Sequence, residues 1–154
     1  MTQKILSWNA IKKEVFEAYE PFRVVSKKLR TEIEFINGAF NTDKLLNEMD
    51  LYCKKIKGTQ EENVFLLNPK TVTVVQDRLR LFTHIANDLD DAERVVLYYF
   101  LVKLERETET EIAENRMPTA CSRSTINNLK RSAFVKILEN FYYNKLMTSD
   151  NHKD

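Results

Sequence analysis

The sequence predicts an all-α fold, and three features of its composition and pattern lead to that prediction. The 154 residues include only 2 Gly and 3 Pro, so the chain offers few positions for tight turns. Hydrophobic residues make up 43% and charged residues 31%, which is typical of a globular domain with its own core. Apolar residues recur at spacings of three and four along most of the chain, which is the period of an amphipathic helix.

The first apolar stripe begins at Trp8 and runs at helical spacing to Ile36. Pro21 interrupts it, and an interior proline removes a backbone hydrogen bond. Either two helices meet there or one long helix kinks. Asn37-Gly38 then closes the segment with a signature that is typical of a helix end.

A second helix is expected to start at a cap formed by Asn41 or Thr42 and to stop at Gly58. A polar loop over 59–63 and a short apolar run over 64–67, which would suit an extended segment, come next. The predicted inward face of this second helix consists of Leu45, Met49, Tyr52 and Ile56.

The third helix is predicted to start at Asn68-Pro69, where an N-cap residue precedes a proline in the first helical position. The β-branched run 72–75 would suit a strand, but the cap and the apolar period favour a helix. The residues that carry this period are Val72, Val75, Leu79, Phe82 and Ala86.

Two capping boxes mark the next two helices, one formed by Asp90 with Glu93 and one by Thr108 with Glu111. The body of the first, over 95–104, is apolar almost all round and is therefore expected to be buried on most sides. The second helix is short and is followed by a turn over 117–121. Ser122 then caps a last long helix, whose inward face is predicted to consist of Ile126, Leu129, Ala133, Ile137 and Phe141.

Several classes of protein are excluded by what the sequence lacks. It has no glycine-rich phosphate loop, nucleophile elbow, kinase motif or zinc signature, so we expect neither an enzyme nor a cofactor or metal site. Its two cysteines lie far apart, and its longest apolar run is far shorter than the roughly 20 residues of a membrane span. A cytoplasmic protein with no membrane contact is the expectation.

Charge is distributed unevenly although the formal net charge is only +1. Residues 88–114 contain nine acids against three bases, whereas residues 115–138 contain no acid. The bases of this acid-free segment are Arg116, Arg123, Lys130, Arg131 and Lys136. The pattern predicts a local positive surface at a specific place on the molecule.

The order of these elements is that of a helix-turn-helix: a buried helix, a short helix, a turn and a longer helix that bears bases. In that motif the start of the second helix enters the major groove, where Arg suits guanine and Asn suits adenine. Free backbone N–H groups near a helix start can also hold a phosphate. The residues predicted to contact double-stranded DNA are Ser122, Arg123, Ser124, Thr125, Asn127, Asn128, Lys130 and Arg131.

Three stretches of the second half, over 89–97, 110–114 and 122–126, resemble the fourth region of bacterial sigma factors. They read Leu-Asp-Asp-Ala-Glu-Arg-Val-Val-Leu, Thr-Glu-Ile-Ala-Glu and Ser-Arg-Ser-Thr-Ile. The stretch 130–137 is similar to the end of the ArpU-type regulators of phages and their Gram-positive hosts, which are proposed to switch on late genes. This resemblance covers roughly residues 88–143 and implies a transcription regulator that also contacts RNA polymerase.

The turn between the two helices departs from the sigma pattern. Seven residues separate Glu114 from Ser122, where typical sigma factors have about four including a glycine, and ArpU-type proteins have a longer turn. The resemblance is therefore stronger to the ArpU type, and the angle at which the recognition helix docks stays open.

The sequence suggests a division into a helical oligomerisation or partner-binding region over 1–87, a DNA-binding region over 88–145 and a polar tail over 146–154. The last helix carries more apolar residues than one buried face needs, from Phe134 to Tyr143. These residues either pack against the N-terminal helices or form the interface of a homodimer. The alternative function is a helical adaptor that binds RNA polymerase or another protein without reading DNA. A stand-alone sigma factor would need an aromatic-basic motif that the N-terminal half lacks.

Overall fold

A computed structural model describes residues 6–61, 69–119 and 121–151 of the chain, and it confirms the all-α prediction. The side chains of 69–70 and 142–151 are outside this description. In chain order the elements are α1 (Trp8–Leu29), β1 (Glu34–Ile36), β2 (Ala39–Asn41), α2 (Asp43–Ile56), α3 (Pro69–Asn87), α4 (Asp91–Leu97), a π-helical segment (Tyr98–Val102), α5 (Glu109–Asn115) and α6 (Arg123–Asn151).

Helix α1 is one continuous helix that contains Pro21, so the alternative of two helices meeting there is wrong. The Ser7 hydroxyl accepts from the backbone N–H of Ala10 at 3.2 Å and caps its start. The helix ends at Leu29, and the next residue, Arg30, adopts the left-handed conformation with a φ of 54°. The predicted helical stripe therefore stops seven residues before Ile36.

A β-hairpin replaces the predicted end of that helix. Asn37 and Gly38 have φ angles of 53° and 78°, and they form the two-residue turn that joins β1 to β2. Both positions of this turn need positive φ, which Asn and Gly tolerate best. The expectation that Asn37-Gly38 ends a helix is wrong because the same dipeptide serves both kinds of turn.

Helices α2 and α3 follow the predicted bounds. Asn41 accepts from the N–H of Asp43 at 2.9 Å, and Gly58 takes a φ of 80° shortly after the end of α2. The predicted apolar run 64–67 and the predicted N-cap Asn68 lie outside the described residues. Helix α3 buries Val72, Leu79, Phe82 and Ala86, so the helical interpretation of its β-branched run is confirmed.

The apolar segment that follows α4 is buried on several sides. Its helix becomes π-helical from Tyr98 and ends at Val102, two residues before the predicted end. The Tyr98 ring stacks on Phe35 of the hairpin at 4.7 Å, whereas the Phe100 ring packs toward α1 and α6. This segment therefore contacts the hairpin, α1 and α6.

The main core contains buried residues from both sides of the predicted boundary at residues 87 and 88. It runs from Val15 on α1 to Phe141 on α6. Phe134 packs against Trp8 and Phe16, with ring centroids 5.7 and 5.9 Å apart. The N-terminal helices of the same chain thus cover Phe134 and Phe141, whereas Val135 and Leu138 are half-buried.

Helix α6 continues to Asn151, which is six residues into the predicted polar tail. Residues 152–154 lie outside the described residues. None of the helices in the described ranges has the length and apolarity to cross a membrane.

Candidate nucleic-acid interface

Helices α4, α5 and α6 surround a second, smaller apolar cluster. Its buried members are Val96 on α4, Ile112 and Ala113 on α5 and Ile126 on α6. The two predicted capping boxes are present at the starts of α4 and α5. The cluster holds α6 against a short bracing helix, which is the arrangement that a helix-turn-helix requires.

The start of α6 is capped by Ser122, as the sequence predicts. Its hydroxyl accepts from the backbone N–H of Thr125 at 3.2 Å and lies 3.0 Å from the Thr125 hydroxyl. Ile126 is fully buried in the smaller cluster, so it fixes which side of this first turn faces solvent. The four residues that precede it are all exposed, namely Ser122, Arg123, Ser124 and Thr125.

The next predicted contact residues differ in their exposure. Asn128 and Arg131 are exposed, whereas Asn127 is half-buried. The guanidinium carbon of Arg131 lies 5.2 Å from the centroid of the Trp8 ring, which is within the range of a cation–π contact. Helix α1 therefore reaches the same side of α6 as the predicted contact surface.

Lys130 is a correction, because the structure buries the side chain that the sequence places on the outward face. Only 4% of it is exposed. Its ammonium group donates to Glu109 of α5 at 2.6 Å and lies 4.2 Å from the centroid of the Phe100 ring. Lys130 therefore joins α6 to α5 through a buried ion pair, and its charge does not face a nucleic acid.

Two further bases of the acid-free segment are also paired within the chain. Arg116 donates to both carboxylate oxygens of Glu107, at 3.0 and 2.9 Å. Lys136 donates to Glu93 at 2.8 Å, and Glu93 is 2% exposed. Three of the five bases therefore meet acids of the 88–114 segment.

These ion pairs shift the pKa values of the carboxyl groups involved. The hydrogen bond from Arg116 lowers the pKa of Glu107 against the opposing effect of burial. The hydrogen bond from Lys130 likewise lowers the pKa of Glu109. Burial raises the pKa of Glu93, but hydrogen bonds led by that from Lys136 outweigh it, so the net shift is downward.

The predicted positive surface is accordingly smaller than the sequence suggests. Of the five bases, Arg123 and Arg131 are the two whose charge has no carboxylate partner within ion-pair distance in the part of the chain that the structure describes. Two of the acids that neutralise the others, Glu93 and Glu109, belong to the first turns of α4 and α5. A helix-turn-helix brings those starts against α6, so the predicted motif itself contained the signal for this pairing.

Within the described ranges, no group of three or more His, Cys, Asp and Glu side chains is placed to hold a metal ion. Comparison with models of protein families, with curated proteins and with solved structures gave no match. The similarity to ArpU-type regulators thus stays a prediction from the residues quoted above.

Proposed function

We propose that this protein binds double-stranded DNA with the start of α6 and regulates transcription. The observation that carries the proposal is the exposed first turn 122–125, which projects from a long helix that α4 and α5 hold by a dedicated apolar cluster. Regulation of phage late genes, contact with RNA polymerase and assembly as a homodimer or higher homo-oligomer follow from the resemblance and belong to the same proposal.

The roles of the side chains follow from their chemistry and exposure. Arg123 and Asn128 offer the donors that read guanine and adenine edges in the major groove. Ser124, the Thr125 hydroxyl and the backbone N–H groups of Arg123 and Ser124 suit phosphate oxygens, which position a protein without reading sequence. Arg131 adds a phosphate contact one turn further along α6, and Lys130 has no direct role.

A second candidate function is favoured by the internal ion pairs. Because three of the five bases are neutralised within the chain, the surface of α6 has less positive charge than DNA-binding helices usually need. A helical adaptor that binds RNA polymerase or another protein through the same turn fits this weaker charge.

The salt dependence of binding to labelled DNA duplexes tests the proposal. Affinity is measured by fluorescence anisotropy, first with phage promoter fragments and then with a duplex selected from a random pool. Each phosphate contact contributes about −0.9 to the slope of log affinity against log salt concentration. With Arg131 as the cation assigned to a phosphate, we expect a slope of roughly −1 for each protomer.

Variants separate phosphate contacts from base contacts. Arg131→Ala is expected to reduce the magnitude of the slope by about 1, whereas Asn128→Ala costs about 1–3 kcal/mol on the selected sequence and leaves the slope unchanged. Arg80→Ala is the matched control, because Arg80 is exposed on α3 and pairs with Asp77. Absence of binding even in about 50 mM salt would overturn the DNA proposal, and binding of RNA polymerase in that case would favour the adaptor.

A further inference from the structure

The start of α1 lies beside the candidate interface on α6. The Trp8 ring packs on Phe134 with the ring centroids 5.7 Å apart, and the guanidinium carbon of Arg131 is 5.2 Å from the centroid of the same Trp8 ring. Arg131 is one of the exposed residues assigned to the interface. The first turn of α1 therefore borders the surface that is proposed to bind DNA.

Helices α1 and α6 run in the same direction. Trp8, in the first turn of α1, contacts Arg131. Seven residues after Trp8, Val15 lines a small cavity together with Leu138, which follows Arg131 by the same number of residues. Parallel helices have their starts on the same side of a molecule. The start of α1 consequently lies on the side from which the start of α6 projects.

The contact with Trp8 holds Arg131 in place at the edge of the interface. A cation–π contact uses the positive charge of the guanidinium group and none of its five N–H groups. Those N–H groups form a planar fork that matches phosphate oxygens in pairs. Trp8 is thus a positioning residue, because it orders the side chain of Arg131 and leaves its donors available for a phosphate.

Lys12 provides a second cation beside Arg131. It lies four residues from Trp8 and from Phe16, whose rings both pack on Phe134, so Lys12 belongs to the face of α1 that borders α6. Lys12 is half-buried, and no carboxylate of the described residues lies within ion-pair distance of it. The Cα–Cβ bonds of a helix tilt toward its start, so the Lys12 side chain leaves α1 in the direction of the interface.

We propose that the start of α1 is a second element of the DNA interface, in which Lys12 contacts the phosphate backbone alongside Arg131. This role of α1 rests on the proposed function. It compensates for the bases of α6 and its neighbours that are neutralised within the chain, because α1 adds a cation that no acid of the described residues pairs. The first turn of α1 also contains no acid that would repel a phosphate. Phosphate contacts of this kind fix the register and orientation of a protein on a duplex.

The salt dependence of DNA binding by the full chain tests the role of Lys12. Affinity for the duplex selected from the random pool is measured by fluorescence anisotropy at several salt concentrations. Arg131 alone accounts for a slope of about −0.9 in log affinity against log salt concentration, and a contact from Lys12 brings the total to about −2. We expect Lys12→Gln to return the slope to about −1 and Lys12→Arg, which keeps the charge, to retain about −2.

Lys27→Gln is the matched control, because Lys27 is an exposed lysine of the same helix that lies about 22 Å from Lys12 along the helix axis. Its slope should equal that of the natural protein. If the natural protein binds DNA and Lys12→Gln keeps the natural slope, α1 takes no part in the interface, and the proposed function stands without it. Absence of DNA binding by the natural protein would overturn the proposed function and, with it, the role of α1.

Discussion

Lys130 shows at the scale of one residue how distant partners determine what a charged side chain does. Its neighbours along the helix, Asn128 and Arg131, are exposed, so local pattern placed it on the outward face. Glu109 and Phe100, which lie 21 and 30 residues earlier in the chain, surround its ammonium group instead. Burial of a charge is tolerated when it is paired and hydrogen-bonded, and Glu109 meets that condition.

Truncation of this lysine is expected to destabilise the fold. Lys130→Ala removes the partner of Glu109 and opens space beside Phe100, and we expect a loss of about 2–3 kcal/mol in the free energy of unfolding. The value lies below that of a fully buried pair because 22% of the Glu109 side chain is exposed. Urea denaturation followed by circular dichroism measures the loss.

The matched control is Arg123→Ala, which removes an exposed base from the same helix and should change stability by less than about 0.5 kcal/mol. A double-mutant cycle with Glu109→Gln isolates the pair, because contacting residues are not additive. Equal losses for Lys130→Ala and Arg123→Ala, or strict additivity in the cycle, would show that the buried pair does not stabilise the junction of α5 and α6.

What the sequence could predict about the candidate site depended on how local each interaction is. The cap at Ser122 and the exposure of Arg123 involve residues within one turn, and both predictions are confirmed. The pairing of Lys130 and Lys136 with acids of α4 and α5 depends on how helices pack, so segment-by-segment charge counts missed it. The role of these residues in binding DNA stays a prediction.

At the scale of elements, the hairpin and its neighbour α3 form one unit. In a hairpin closed by a two-residue turn, Phe40 and its partner Phe35 form a pair that shares no backbone hydrogen bond, so the peptide groups of Phe40 point away from β1. Asn87, the last residue of α3, accepts from the Phe40 N–H at 2.8 Å and donates to its carbonyl at 3.0 Å. The side-chain amide thereby covers an edge that would otherwise be open to pairing.

Asn87→Ala is expected to lower the free energy of unfolding by about 2 kcal/mol, because it leaves two backbone groups of a buried residue without partners. Hydrogen exchange at the Phe40 amide, followed by NMR, should accelerate more than exchange in α6. Asn87→Asp keeps the acceptor for the N–H and loses the donor, so its effect should fall between those of the natural protein and Asn87→Ala. Unchanged exchange at Phe40 in Asn87→Ala would mean that the hairpin is held by packing alone.

The elements were predicted well where the chain itself carries the start and stop signals. Both capping boxes lie within four residues, and they fixed the starts of α4 and α5. The hairpin was missed because Ile33 and Ile36 happen to continue the spacing of α1, although Asn37-Gly38 is also the strongest short signal for a hairpin turn. Strands of three residues are also too short to show the period of two that reveals a strand in a sequence.

At the scale of the whole molecule, α6 contributes buried residues to both apolar clusters, as α4 does with Leu97 and Val96. On α6, the buried residues Ala133, Phe134 and Ile137 belong to the main core, whereas Ile126 belongs to the smaller one. The candidate interface at its start is therefore attached to the N-terminal helices through the same rigid element. The core is continuous across residue 87. If the two halves have different functions, those functions therefore lie on different surfaces of one core.

Ion pairs at the junctions of this assembly make its stability depend on pH. The pKa values of Glu93, Glu107 and Glu109 are all lowered in the folded protein from an ordinary value of 4.5. A carboxyl group whose pKa is lower when folded contributes stability that is fully present above its unfolded pKa and is lost as the pH falls through its folded pKa. The free energy of unfolding should therefore be level above about pH 5 and decline steadily below about pH 4.5.

Glu107→Gln separates one of these contributions from the rest. Its carboxylate is 7% exposed and holds both Arg116 and Lys103, so we expect a loss of about 1–3 kcal/mol near pH 7 and a shallower decline in acid. Glu114→Gln, at an exposed position on α5, provides the control and should reproduce the natural curve. Urea midpoints measured between about pH 3 and pH 7 test both expectations. If the Glu107→Gln curve ran parallel to the natural one, Glu107 would not cause the loss of stability in acid. The loss would then have to come from Glu93 and Glu109, and the Gln variants of those two residues would make the decline in acid shallower.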